Sequence, residues 1–322
     1  MSQSRQDSSP QLVGWLYAFW KFSRPHTIIG TSLSVLGLYL IAYATGENSI
    51  PSPFLPLWQL LGTWIACLCG NIYIVGLNQL EDVEIDRINK PHLPLASGEF
   101  SKAAGQLIVG ITGSLALLLA WLMGPFLLGM VAISLAIGTA YSLPPIRLKR
   151  FPFWAALCIF SVRGAIVNLG LFLHFEWVLQ GSQVIPLSLW ALTLFIVVFT
   201  FAIAIFKDIP DIEGDRQYQI TTLTIQLGQQ RVFNLARWVL TVCYLGMAIA
   251  SVLWLDSVNS VFLVSTHLVL LALMWWQSSQ VDLPDKSAIA TPTPEMYAQF
   301  YQFIWKLFFL EYLIFPAACL LA

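Results

Sequence analysis

The chain has 322 residues, 57% of them hydrophobic and only 10% charged, with a formal net charge of −1 and a mean hydropathy of +0.73. Soluble domains carry charged residues nearer ~25%, so a soluble globular protein is excluded. An all-α integral membrane protein of one domain, residues 1–322, is the class that remains.

The first 20 or so residues read as a short polar N-terminal segment with no cleavable hydrophobic core, so no signal or transit peptide is expected. Nine apolar runs follow, at roughly 27–44, 57–77, 104–123, 125–142, 152–175, 186–206, 233–255, 260–277 and 300–321. Each is long enough to cross a bilayer as a helix. None alternates with the two-residue period of a membrane barrel.

Basic residues segregate sharply. The N-terminal segment and the loops near 78–103, 143–151, 207–232 and 278–299 carry Lys21, Arg24, Arg87, Lys90, Lys102, Arg147, Lys149, Arg150, Lys207, Arg216, Arg231 and Lys286. The loops on the other side contain no Lys or Arg. The positive-inside rule makes the first set cytoplasmic. A multi-pass protein of a bacterial inner or internal membrane is expected. Cys67, Cys69, Cys158, Cys243 and Cys319 all fall within spans, an odd number without paired spacing, and read as packing residues.

Two acidic clusters interrupt this pattern. After the second run comes Asn78-Gln79-Leu80-Glu81-Asp82-Val83-Glu84-Ile85-Asp86, and after the sixth comes Lys207-Asp208-Ile209-Pro210-Asp211-Ile212-Glu213-Gly214-Asp215-Arg216. Each holds four of the chain's 17 acidic residues, too many at a membrane edge for ordinary surface acids. Asn78, Asp82 and Asp86 are spaced by four, which stacks them on one helical face. Asp211 and Asp215 repeat the interval with Asp208 nearby, and Pro210 and Gly214 weaken a regular helix there. A matched position after the second and sixth spans hints at an internal duplication that faces the clusters across a central cavity. Carboxylates so concentrated call for a cation, and Mg²⁺ bridging to a phosphorylated substrate is the natural one.

Between the clusters, Arg163 lies in mid-span and must pair with something. It and Asn168 either face the acidic cavity or tie helices together. Most of the 13 Trp, 10 Tyr and 21 Phe belong to interfacial belts and packing, while some suit a prenyl tunnel. His26, His92, His174 and His267 show no metal-ligand spacing.

The pair of motifs, Asn-Gln-x-x-Asp-x-x-x-Asp after the second span and Asp-x-x-x-Asp after the sixth, resembles the UbiA superfamily of intramembrane prenyltransferases. Longer strings are similar to its homogentisate branch, cyanobacterial in type: residues 71–79, Asn89 to Glu99, Lys21 to Thr27, and Tyr141 to Arg150. The resemblance implies a nine-helix bundle around a central cavity. It also implies transfer of a phytyl or geranylgeranyl group from its diphosphate to homogentisate, with loss of CO₂ and a proton, giving a methyl-phytyl-benzoquinol for tocopherol. Asn78, Asp82 and Asp86 would hold one Mg²⁺, and Asp211 and Asp215, with Asp208, another. Arg87, Lys90, Lys149, Lys207 and Arg216 are candidate phosphate partners by charge and side, and Tyr141 a candidate donor to the diphosphate. The family's Tyr-x-x-x-Lys pattern is broken here by Pro145. Arg24 and Arg163 are the candidates for the homogentisate carboxylate. The substrates and the lipid bilayer are the only partners implied, with neither nucleic acid nor another protein. Solanesyl transfer, chlorophyll synthesis or another superfamily reaction are the enzymatic alternatives. A secondary transporter is the non-enzymatic one, although its acids would lie near the bilayer midplane.

Overall fold

The computed structural model describes residues 9–46, 54–209, 212–217, 222–282 and 294–322. Among these residues the regular structure is helical throughout. In chain order the helices are α1 (Ser9–Phe22), α2 (Pro25–Ala44), α3 (Phe54–Glu81), α4 (Val83–Asn89), α5 (Pro94–Ser97), α6 (Lys102–Met123), α7 (Pro125–Ser142) and α8 (Pro152–Phe160). A π-helical turn over Ser161–Ile166 joins α8 to α9 (Val167–Gln180). Then come α10 (Leu187–Phe206), α11 (Ile212–Gln217), α12 (Leu223–Leu227), α13 (Gln229–Leu253), α14 (Ser260–Asp282) and α15 (Pro294–Leu320).

Among the described residues nine helical segments are long and apolar enough to cross a membrane, with α8, the π turn and α9 counting as one. They coincide with the nine runs expected from the sequence. Their lipid-facing sides expose Leu, Ile, Val and Trp, as a hydrocarbon solvent permits. Helix ends are set by local chemistry. Proline opens α2, α7 and α8, where its missing N–H costs nothing, and the Ser101 hydroxyl accepts from the Ala104 N–H to cap α6. Gly124, at φ 145°, makes the one-residue turn between α6 and α7.

The spans close into a ring. α3 packs on α6 and α7, α7 on α9, α8 on α10, and α10 on α13; the ring then runs through α14 and α15 to α2 and back to α3. Gly37 lets α2 approach α15 so closely that a Cβ there would meet the Tyr312 carbonyl oxygen at 2.7 Å. At the end away from the basic loops α2 leans across to α9, where the Tyr39 and Phe175 rings meet edge to face and Thr45 donates to Glu176. That contact shuts the ring on one side and leaves it open towards the basic loops. Deep between α14 and α15, His267 and Glu311 face each other at 3.4 Å, both fully buried.

One expectation needs correction. The N-terminal segment read as polar is helical from Ser9, and Ala18 and Phe22 are buried in a small apolar cluster with Leu95 and Phe100. Lys21 pairs with Glu99 and ties α1 to the loop after α5. α1 thus forms part of the rim of the opening.

Candidate active site

A cavity of about 2010 Å³ fills the ring and opens between the basic loops. Arg24, Asn78, Asp82, Asp86, Arg87, Lys90, Tyr141, Lys149, Arg163, Lys207, Asp208 and Asp215, all expected from the sequence, line it. Asp211 lies outside the described residues.

The geometry is tightest at the end of α3. The helix breaks at Asp82, where φ is −113° and ψ 17°, and resumes as α4. The four-residue stacking therefore does not run along one unbroken helix as expected. It persists through the backbone, with the Asp82 N–H donating to the Asn78 carbonyl at 3.1 Å and the Asp86 N–H to the Asp82 carbonyl at 2.7 Å. Lys149 returns to this corner from the loop after α7. Its ammonium donates to Asp82 Oδ2 at 2.7 Å and to Asn78 Oδ1 at 3.1 Å, while Arg147 donates to Asp82 Oδ1 at 3.1 Å. Burial pulls the Lys149 ammonium below the ordinary lysine range, and the Asp82 carboxylate beside it works in the opposite direction.

Sequence reasoning counted Arg147 among the topology-setting cations and missed its role here. The residue adopts a left-handed backbone, φ 39° and ψ 60°, which turns the loop back so that both cations reach Asp82. Among the described residues Arg24 is the other non-glycine residue at positive φ, 55°, and it too lines the cavity. Non-glycine residues rarely occupy this region, and their strain of about 1–3 kcal/mol each persists where surroundings over-determine the conformation. A surplus of basic residues beside a Tyr-Ser-Leu-Pro-Pro turn was the only signal of this loop's role.

The second cluster comes to the same opening. Asp208 accepts from its neighbour Lys207 at 2.9 Å, Asp215 is buried on α11, and α11 packs against α4, which carries the buried Asp86. The two acidic segments thus meet across the mouth, as the hint of duplication suggested. Tyr141 has Lys207, Asp208, Asp82 and Arg24 as its charged neighbours. His92, also on the lining, is held below the ordinary histidine range, first by burial and then by Arg24.

Two of the expected phosphate partners stand apart from the Asp82 corner. Arg216 is exposed and does not line the cavity. Arg87 sits at the rim but turns its guanidinium to Glu84 in an exposed i,i+3 pair at 2.7 Å. Both lie on short helices where charge type alone says nothing about facing. Below the mouth the walls become apolar, with Ile74, Val131, Leu135, Val167 and Leu171 among the lining. Arg163 adds a charge to this wall, where Thr31, Ser34, Asn71 and Ser134 are its polar companions in the lining.

A hard cation suits this donor set. The available ligands are amide and carboxylate oxygens, and those of Asn78 and Asp82 already converge on one cationic position, the Lys149 ammonium. Among the described residues no three His, Cys, Asp or Glu side chains come together as a ready-made metal cage. All five cysteines are free.

The homogentisate phytyltransferase of Synechocystis is 57% identical over 94% of this chain and 96% of its own length. The homogentisate phytyltransferase 1 of Arabidopsis thaliana is 40% identical over 94% of this chain and 75% of its own. Among solved structures, a UbiA homologue from Archaeoglobus fulgidus bound to GPP and Mg²⁺ has the same fold. Its TM-score is 0.61 at 15% identity, covering 93% of this chain and 99% of that one. The model of the UbiA prenyltransferase family matches residues 32–307, and the chain belongs to that family.

Proposed function

We propose that the chain transfers a phytyl group from phytyl diphosphate to homogentisate, with Mg²⁺ as cofactor, and that geranylgeranyl diphosphate is the nearest alternative donor. The observation that carries this reading is the charge arrangement at one cavity mouth: Asn78 and Asp82 bound to Lys149 and Arg147, beside Asp86 and Asp215, above apolar walls. Such a mouth holds a diphosphate, and such walls hold its hydrocarbon chain. The names of the Synechocystis and Arabidopsis relatives support the acceptor and the donor.

In this reading Asn78, Asp82 and Asp86 hold one metal ion, and Asp215, with Asp211 and Asp208, a second. The metal, when bound, neutralises the diphosphate and makes it a competent leaving group. Lys149, Arg147, Lys207 and Lys90 supply charge-assisted hydrogen bonds to the phosphate oxygens, and Tyr141 donates from the cavity wall. As the donor's C–O bond breaks, the allylic carbon bonds to a carbon of the electron-rich ring. That ring carbon loses its proton. The side chain loses CO₂ and takes up a proton, which gives 2-methyl-6-phytylbenzoquinol. The low-polarity walls keep water from the allylic cation. The basic loops, and with them the mouth, face the cytoplasmic side of a bacterial inner or thylakoid membrane.

The test is turnover by the purified chain in lipid nanodiscs. Homogentisate, 4-hydroxybenzoate and chlorophyllide are offered against phytyl, geranylgeranyl and solanesyl diphosphates. Homogentisate with a C20 donor is expected to be preferred, with activity lost in EDTA and in Asp82→Ala, Asp86→Ala and Asp215→Ala. Preference for another acceptor refutes the substrate, and full activity in EDTA refutes the metal.

A further inference from the structure

From its surroundings we infer that Arg163 is the binding residue for the acceptor's carboxylate; this rests on the prenyl-transfer reading above. Arg163 occupies the π turn and lines the cavity. Its guanidinium carbon lies 4.9 Å from the centre of the Trp305 ring and 5.9 Å from that of Phe308. Among the described residues no carboxylate forms an ion pair with it. Aromatic faces offset only part of the cost of removing a guanidinium from water, and a buried cation is ordinarily matched by an anion. Glu311, a buried carboxylate on the facing helix α15, faces His267 at 3.4 Å and forms no ion pair with Arg163.

The anion that completes Arg163 must therefore arrive through the cavity. Two sources share the chemistry, the donor's diphosphate and the acceptor's carboxylate, and depth separates them. Arg163 lies eleven residues beyond Pro152, roughly 16 Å along the helix from the mouth, whereas Lys149, Arg147 and Lys207 stand at the mouth itself. A phenylacetate fits the deeper position well. Its carboxylate meets the planar guanidinium fork, and its ring lies in reach of Trp305, which His26 meets in a T-shaped contact at 5.0 Å. Gly30 on α2 lies directly against this corner: a Cβ there would stand 3.3 Å from Phe309 Cε1 and 3.5 Å from Arg163 Nη1. Arg24, the other candidate, sits at the mouth among the phosphate-facing cations.

The experiment is a binding titration on the full chain in nanodiscs. The probes are homogentisate, its uncharged methyl ester and phytyl diphosphate, measured on wild type, Arg163→Gln and Arg163→Lys. Loss of a charge-assisted, bidentate contact is expected to weaken homogentisate about tenfold or more in Arg163→Gln. Arg163→Lys is expected to be intermediate. Ester and donor binding should stay within about twofold of wild type, which also reports that the variants are folded. Unchanged homogentisate binding, equal losses for acid and ester, or a loss confined to the diphosphate overturns the assignment. Turnover of homogentisate by wild type is scored separately. Its absence would refute the proposed reaction, while the titration still decides the role of Arg163.

Discussion

Replacing Asp82 by asparagine leaves the Lys149 ammonium and the Arg147 guanidinium facing an uncharged amide. In the native corner the carboxylate accepts from them at 2.7 and 3.1 Å, and the three side chains are only 11–21% exposed. A charge-assisted hydrogen bond contributes about 1.5–3 kcal/mol. Removing one partner of a fully buried pair costs ~3–5 kcal/mol, chiefly by stranding the other charge. Residual exposure lowers that figure, so Asp82→Asn should cost roughly 2–4 kcal/mol in stability. Lys149→Met is milder, about 1 kcal/mol, because Asp82 keeps Arg147. The double variant leaves only Arg147 stranded, so its cost should fall short of the sum of the singles by about 1–2 kcal/mol. Reversible unfolding in mixed micelles, followed by tryptophan fluorescence in EDTA, measures all four corners of the cycle. Single-variant costs that add to within ~0.5 kcal/mol would show that Asp82 and Lys149 are neighbours without being coupled, and the account of this corner would fail. Activity follows a different rule. Every variant lacking Asp82 should be inactive, stable or not.

The clasp between Glu99 and Lys21 should respond to acid. The lysine's hydrogen bond holds the Glu99 carboxyl below its ordinary value of 4.5, so its contribution is present above that value and fades as pH falls through the lower, folded one. The protection of α1 amides, taken relative to their intrinsic exchange rate at each pH, should fall in acid in the native chain, and a Lys21→Met variant should have lost that response. Gly37→Ala places a methyl 2.7 Å from the Tyr312 carbonyl oxygen, backbone that cannot step aside. It should destabilise by about 1–3 kcal/mol through α2 and α15 moving apart, and thermal unfolding equal to wild type would contradict the packing. In a cysteine-free background, cysteines at the exposed positions Gln226 and Asp256 should react with impermeant maleimides from opposite membrane faces. Reaction from one face would contradict the span assigned to α13.

The nine spans were readable because bilayer thickness imposes a length that no polar loop can imitate, and the side of the mouth because cations avoid the other face. Asn78 and Asp82 were readable by their spacing, even though the helix breaks between Glu81 and Val83. Arg147 was not. Its part depends on a left-handed backbone two residues before Lys149, and one-dimensional charge patterns carry no record of such a turn. The same limit hid that Arg216 faces away from the cavity, since rotating a six-residue helix moves a side chain from cavity to solvent without changing composition. α1 was undervalued because its fourteen residues fall short of a span, although Ala18 and Phe22 bury themselves against the rim.

The π turn at Ser161–Ile166 changes how the whole fifth span keeps phase. Ala155, Ile159, Arg163, Val167 and Leu171 all line the cavity in steps of four. An α-helix turns about 400° in four residues, so such a row drifts by roughly 40° per step and would wander some 160° away over four steps. One surplus residue in a widened turn takes back about 100° of that drift and holds both halves to the same cavity. A deletion of one residue between Ser161 and Ile166 would regularise the helix and rotate everything beyond it. The Asn168 contact with the Tyr312 hydroxyl at 2.8 Å and the pairing of His174 with Thr63 at 2.9 Å would both be carried off target. Hydrophobicity along this segment would be unchanged, so any measure of membrane insertion should miss the damage entirely.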